Sequence, residues 1–350
     1  MTQPSLNTTF DTSVIDLSQP ETVQFTGSFS TTDTDPSEFG APTEVVEDTA
    51  KPSIPSSSDE TPKPSQDTPR PSTAVTSSVP KPVRHMDTTA AYDAWAPVYD
   101  TDGNILQKVD DIELEKTLPV FLDMVKATAE ESPKDAYKIV DLGCGTGRNT
   151  RKLLQHKWKL PRGATIDIVG VDASPGMLAR ADEKLLPIEE EISEGAEPAP
   201  VRLSLFQHDI LYPTDLSSSP DPLPTRADAL ISTLVLEHVP LSVFFAALSR
   251  ILLPRGVALI TNMHPEMGAK SQAGFVMADA EGKRVKVRGK SYVHTVEETV
   301  KAAQEVGFEL VGEVMEREVE DKMLEEGLLG ERGWKWVDCK VWYGVILRKK

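Results

Sequence analysis

The stretch "IVDLGCGTGRNT", residues 139–150, limits what this chain can become more than any other. Its apolar start reads as a buried strand that ends in Asp141. Glycine then takes every second position, at Gly143, Gly145 and Gly147, before polar residues that open a helix. Glycine reaches positive φ without strain, and its missing Cβ lets a ligand come close to the backbone. A strand that ends in a glycine loop and runs into a helix usually brings ligand to the carboxyl edge of an open α/β sheet.

Residues 86–350 keep to that alternation. "YKIVDL" predicts a strand and "GRNTRKLLQHKW" a helix. "TIDIVGVD" predicts a second strand, and Pro175 to Leu186 a helix with Ser174 at its N-cap and Pro175 in its first turn. "VRLSLFQHD" alternates at period two, as a half-buried strand does. "ADALISTLVL" predicts a fourth strand, "PLSVFFAALSRIL" a helix stopped by Pro254 and Gly256, and "VALITN" a fifth strand. "TVEETVKAAQEVG" predicts a last helix, and "FELVGEVME" and "CKVWYGVIL" close the sheet as two more strands. Strand–helix alternation implies an α/β fold: a seven-stranded, mostly parallel sheet with helices on both faces.

Residues 1–85 read differently. "TPKPSQDTPRPSTAVTSSVPKP" has little to bury and cannot offset its ordering entropy, so a disordered Pro/Ser/Thr-rich acidic tail is expected there, either solubilising or a docking arm for a protein partner. The 350 residues carry 55 acidic and 37 basic side chains, a net charge of −18. That argues against nucleic acid and against an anionic membrane surface as partners. Two cysteines give neither a disulfide framework nor a metal site. No secretory signal is visible at the start, and the apolar region 234–253 is too polar to span a bilayer, so a cytoplasmic protein is expected, with the nucleus open.

A Walker loop needs G-x-x-x-x-G-K-[ST], and that lysine is absent; the dinucleotide fingerprint G-x-G-x-x-G fits poorly, because Arg148 stands at its last glycine. "VDLGCGTG", an acid followed by G-x-G-x-G, resembles the first motif of the class I S-adenosylmethionine-dependent methyltransferases. Companion motifs stand at the ends of the next strands. Asp172, in "VGVDASPGML", resembles the family's ribose-binding carboxylate, with Ala173 beside it. Asp209, in "QHDI", resembles the acid that accepts from the adenine amino group, with Ile210 against the ring. "STLVLEHVP" is similar to the motif beside the methionine moiety and brings in Leu234. Singly, Asp172 is also readable as a helix-starting residue and Asp209 as a turn acid; their joint placement favours a shared site. The resemblance implies a Rossmann-like fold, S-adenosylmethionine as cofactor, and contacts from Asp141, Gly143, Cys144, Gly145 and Gly147.

"YDAWAPVYD" places Tyr92, Trp95 and Tyr99 on one face of a short helix that Pro97 would break or kink. It resembles the N-terminal segment of the ubiquinone/menaquinone C-methyltransferase-like branch, which lids the cofactor; by that resemblance the Tyr99 hydroxyl reaches the methionine carboxylate. Core packing of an amphipathic helix is the alternative. The branch implies a small-molecule methyl acceptor. An acceptor that carries a proton benefits from a nearby base, and histidine suits neutral pH. His238 after the fourth strand, His264 after the fifth and His294 before the last helix are the candidates, each equally readable as a capping or surface residue. Residues 265–293 read as a β-hairpin insertion over the acceptor pocket, and residues 319–338 as a second insertion carrying Trp334 and Trp336. A protein methyltransferase and a cofactor-binding regulatory protein with little catalysis are the competing functions.

Overall fold

The computed structural model describes residues 83–159, 163–194, 201–212, 223–278 and 282–350. Of the residues 1–85 expected to form a disordered tail, 1–82 lie outside the described residues, and Val83–His85 form a strand. In chain order come β1 (Val83–His85), α1 (Thr88–Trp95), α2 (Ile105–Glu131) and the glycine strand β2 (Ala136–Leu142). Then follow α3 (Arg148–Leu154), β3 (Thr165–Asp172), α4 (Pro175–Glu194), β4 (Val201–Gln207), β5 (Ala227–Thr233), α5 (Leu241–Ile251) and β6 (Leu252–Met263). The C-terminal part adds α6 (Pro265–Lys270), β7 (Gly274–Ala278), β8 (Arg284–Arg288), α7 (Val296–Glu305), β9 (Phe308–Leu310), β10 (Met315–Glu318), α8 (Asp321–Glu325) and β11 (Lys340–Lys349).

The main sheet has the order β10-β11-β6-β5-β2-β3-β4, and β9 also pairs with β11. Strands β4, β3, β2, β5 and β6 are parallel, while β11 runs antiparallel to β6. This is a Rossmann-like α/β sheet, mostly parallel, with helices on both faces. The single strand expected over "FELVGEVME" is two short ones: Gly312 at φ 75° turns the chain between β9 and β10, which pair with different stretches of β11. The α3 helix is shorter than predicted, because Trp158 folds back and its Nε1 donates to the Leu153 carbonyl at 3.0 Å.

Both sheet faces are buried, which is why the parallel strands read as continuous apolar runs. Ile139, Ile168, Ile231 and Leu259 face Phe121 of α2, Leu153 of α3 and Leu185 of α4. Val140, Val169, Leu230 and Ile260 face Phe244, Phe245 and Leu248 of α5. The hairpin β7–β8 forms as predicted for the 265–293 insertion, preceded by α6 and joined in parallel by β1 into a separate small sheet. Trp336 of the second insertion is buried, whereas Trp334 is exposed. No helix among the described residues is long and apolar enough to cross a membrane.

The 27-residue α2 has no counterpart in the sequence reading. Its buried stripe includes Asp110 and Glu113 among Leu106, Val109, Leu114, Leu118 and Phe121. Asp110 Oδ1 accepts from Thr261 Oγ1 at 2.6 Å and Trp342 Nε1 at 2.8 Å, while its Oδ2 takes Arg148 Nη2. Breaking a buried pair by removing one partner costs about 3–5 kcal/mol. Asp110→Ala should therefore lower unfolding free energy by about that amount in urea titrations, with a surface control such as Lys126→Ala near zero.

Candidate functional site

The chain order reverses at β2, which has β3 on one side and β5 on the other, so a crevice opens at the carboxyl ends of these strands. The three glycines meet this crevice for different reasons. Their φ angles are 74° at Gly143, 56° at Gly145 and 81° at Gly147. A Cβ on Gly143 would lie 2.2 Å from Val235 Cγ2, so that glycine lets the turn after β5 press against the loop. A Cβ on Gly147 would lie 2.8 Å from Leu185 of α4. A Cβ on Gly145 would meet nothing within 4 Å: it would project into free space.

Asp172, at the end of β3, holds the loop from below. Its Oδ2 accepts from Gly145 N and its Oδ1 from Ser174 N, each at 2.8 Å. Both oxygens keep a second lone-pair direction. Burial raises its carboxyl to about 6, against hydrogen bonds from the backbone N–H groups of Ser174 and Gly145. Asp209 follows β4; its Oδ1 caps Leu211 N at 2.8 Å and its Oδ2 accepts from Thr89 Oγ1 at 3.4 Å.

The roof is α1. Asp93 accepts from Ser174 Oγ at 2.5 Å and Gly176 N at 2.8 Å, which clamps α1 onto the start of α4. The helix ends at Trp95, yet Tyr92, Trp95 and Tyr99 still meet, with ring centroids 4.9–5.9 Å apart. Trp95 Nε1 donates to Asp102 at 2.7 Å, and Asp100 accepts from Thr146 Oγ1 at 2.6 Å.

Between floor and roof lies a cavity of about 780 Å³ including its open mouth. Tyr99, Gly143, Gly145, Asp172, Ala173, Asp209, Ile210, Leu234 and His238 all line it. So do Thr89, Thr233 and Val235, which the sequence reading did not single out. Leu234 stands at φ 57°, a strained conformation for a non-glycine residue. The remaining candidates are elsewhere. Asp141 is buried behind the loop, accepting from Thr150 Oγ1 at 2.6 Å, and burial pushes it to about 6. Cys144 packs toward Gly170 of β3, and Gly147 faces α4.

The histidines separate clearly. The His238 ring lines the cavity, with Nδ1 3.0 Å from the Lys290 carbonyl and Nε2 2.7 Å from the Tyr92 hydroxyl. A carbonyl can only accept, so Nδ1 carries the proton and Nε2 of the neutral ring accepts from Tyr92. His264 does not reach the cavity: its Nδ1 caps Glu266 N of α6 at 3.2 Å and its Nε2 donates to Glu316 at 2.8 Å. His294 is buried against Tyr292 and donates to the Val239 carbonyl at 2.9 Å. Both ring nitrogens of His264 are spent on structure, and burial lowers His294 away from protonation. A second compartment of about 470 Å³, including its mouth, adjoins the first and shares Tyr92, Tyr99 and Leu234 with it.

These residues fit S-adenosylmethionine. The space above Gly145 accepts close backbone contact, Asp172 offers acceptors to two ribose hydroxyls, and Asp209 with Ile210 offers an acceptor and an apolar edge to adenine.

Known proteins similar to this chain are methyltransferases. A family profile described as a methyltransferase domain matches residues 140–260. An uncharacterized methyltransferase of Emericella nidulans is 42% identical over 281 residues, 75% of this chain and 91% of that protein. A trans-aconitate 2-methyltransferase of Streptomyces avermitilis is 44% identical over 61 residues, 17% of this chain and 20% of that protein. The crystal structure of an S-adenosylmethionine-dependent methyltransferase from Mesorhizobium loti is 22% identical and covers 65% of this chain and 100% of its own, with a TM-score of 0.39.

Two outcomes follow for cofactor affinity. Ribose hydroxyls donate, so they favour the ionised form of Asp172, whose carboxyl sits at about 6. Affinity for S-adenosylhomocysteine should be full above that pH and fall as pH drops through it, with protons released on binding at about pH 6 and just below and almost none near neutrality. Asp172→Asn should flatten this dependence and weaken binding by about 1.5–3 kcal/mol per lost charge-assisted bond, read by calorimetry across pH. Gly145→Val should abolish measurable binding, because φ 56° strains a β-branched residue and its side chain fills the ligand's space.

Proposed function

The chain belongs to the S-adenosylmethionine-dependent methyltransferases, and from that premise we propose that it methylates a small-molecule acceptor bound in the compartment next to the cofactor cavity. One observation carries this reading. The acceptor side is a concave pocket with an open mouth, with walls from α1, residues 104–106, the turn after β5, the end of β6, α6 and residues 271–273. Recurring modes of peptide recognition use an open groove or a free sheet edge, whereas a concave, mostly apolar pocket suits a small molecule. The three aromatic rings of the lid suit an acceptor with a flat ring, in keeping with the resemblance to the quinone-modifying branch.

The cofactor supplies a methyl group activated by its sulfonium. The chain's own part is to align the acceptor with that methyl, exclude water and receive a proton. Tyr92 lies on the boundary of both compartments. Burial pushes its hydroxyl well above the ordinary tyrosine range, so it stays protonated and acts as a donor. An acceptor O–H or N–H set against Tyr92 Oη can pass its proton to that oxygen while the tyrosine proton moves to His238 Nε2. The Lys290 carbonyl holds Nδ1–H throughout, which fixes the tautomer that can accept.

Labelled methyl from S-adenosylmethionine should enter the small-molecule fraction of a lysate and not its protein fraction; label confined to protein would refute the reading. With a confirmed acceptor that bears a proton, His238→Ala should lower turnover by about 10²–10⁴-fold while leaving S-adenosylhomocysteine affinity in place. Tyr92→Phe should move turnover in the same direction, and His264→Ala should cost stability instead.

A further inference from the structure

The proton route leaves one group in the acceptor compartment unused. Glu237 follows Leu236 in the 3₁₀ turn after β5 and is 3% exposed. Its backbone is pinned on two sides: its N–H donates to Asn262 Oδ1 at 3.0 Å, and its carbonyl accepts from Tyr292 N at 2.6 Å. Its Oε2 is buried and has no hydrogen-bond partner among the described residues. Glu237 is one of the residues that line the acceptor compartment, and it is the one acidic or basic residue among the described residues of the wall. The rest of that wall is aromatic (Tyr92, Trp95, Tyr99) or apolar (Leu106, Leu234, Met263, Met267), with Asn104, Ser271 and Gln272 as neutral polar groups.

A buried carboxylate oxygen without a partner is costly, and folded chains normally pair it, although backbone N–H groups of Glu237 and Met263 reach this carboxylate. No lysine or arginine reaches this wall among the described residues. His238 Nε2 lies 3.9 Å from Glu237 Oε1, but that nitrogen is already occupied by the Tyr92 hydroxyl. Burial pushes the Glu237 carboxyl above its usual range, with the nearby His238 drawing it back. A cation arriving from outside would supply the partner that Oε2 lacks. Aromatic rings around such a site add attraction for an ammonium group through their faces.

We propose that Glu237 selects acceptors that carry a protonated amino group, its free Oε2 forming the ion pair that holds them beside the methyl donor. This assignment rests on the small-molecule reading of the same site. The amino group is the recognition handle and the apolar wall takes the body of the molecule. A neutral hydroxyl would satisfy the hydrogen bond but leave the charge unpaired, and an acceptor carboxylate would be repelled.

The test uses the full chain saturated with S-adenosylhomocysteine and three probes of one shape: benzylamine, benzyl alcohol and benzoate. Calorimetry should show the amine bound at least about tenfold more tightly than the alcohol, and benzoate weakest. In Glu237→Gln the amine should fall to the level of the alcohol, with S-adenosylhomocysteine affinity and Tm unchanged. Equal affinity for amine and alcohol in the wild-type protein, no amine binding at millimolar concentration, or an amine preference that survives in Glu237→Gln would each overturn the assignment. A matching loss of S-adenosylhomocysteine affinity in the variant would overturn it too, by placing Glu237 at the cofactor. Failure of the wild-type chain to bind S-adenosylhomocysteine at all is a separate result: it refutes methyl transfer itself, not the choice of acceptor.

Discussion

A fully buried carboxylate, Asp110, joins the parts on which the site is built. It receives donors from α3 through Arg148, from β6 through Thr261 and from β11 through Trp342. Arg148 is the first residue of the helix that follows the glycine loop, so the loop's far end is anchored to α2. The same helix begins at Ile105, next to Asn104 and Leu106 of the acceptor wall. A charge this deep is tolerable because each of its oxygens is satisfied and the guanidinium partner sits against it.

The cofactor side depends on a second fit, between two turns rather than two charges. Gly143 has no Cβ, and Val235 occupies the space one would fill. That close contact brings the turn after β5 against the loop after β2. Leu234 is held at positive φ in the process, its N–H bonded to the Thr261 carbonyl at 2.9 Å. Residues 234–238 thus present Leu234 and His238 to the cofactor cavity and Glu237 to its neighbour. Strain of this kind persists only where the surroundings over-determine the backbone, and here two strands and a glycine do so.

The acidic balance of the chain has a local use in the lid. Asp93 binds the start of α4, Asp100 binds Thr146 and Lys184, and Asp102 binds the Trp95 indole. Three carboxylates in ten residues thereby tie α1 and the turn after it to the loop, to α4 and to themselves. The lid is held by hydrogen bonds to its acids as much as by its rings. Burial raises Asp102 to about 6, so part of this anchoring changes its protonation in mildly acidic solution.

By itself the sequence determined the elements whose signal is local. The glycine spacing, the acids at successive strand ends and the strand–helix alternation follow from backbone conformation and periodicity and were enough for the fold, while the cofactor came from the resemblance of these motifs to a known family. Tertiary structure decided what depends on direction. His238, His264 and His294 look equivalent along the chain, yet one faces the cavity while the other two spend their ring nitrogens on Glu266, Glu316 and the Val239 carbonyl. Helix α2 escaped notice because Asp110 and Glu113 interrupt its apolar stripe, and a charge reads as surface until its partners Arg148 and Arg317 are in place. Glu237 was invisible for the same reason: within "LVLEHVP" it is one acid among apolar neighbours, and only the folded chain shows that no described residue pairs with Oε2. Local patterns fix which backbone forms, whereas the partner of a buried charge comes from residues far away in sequence.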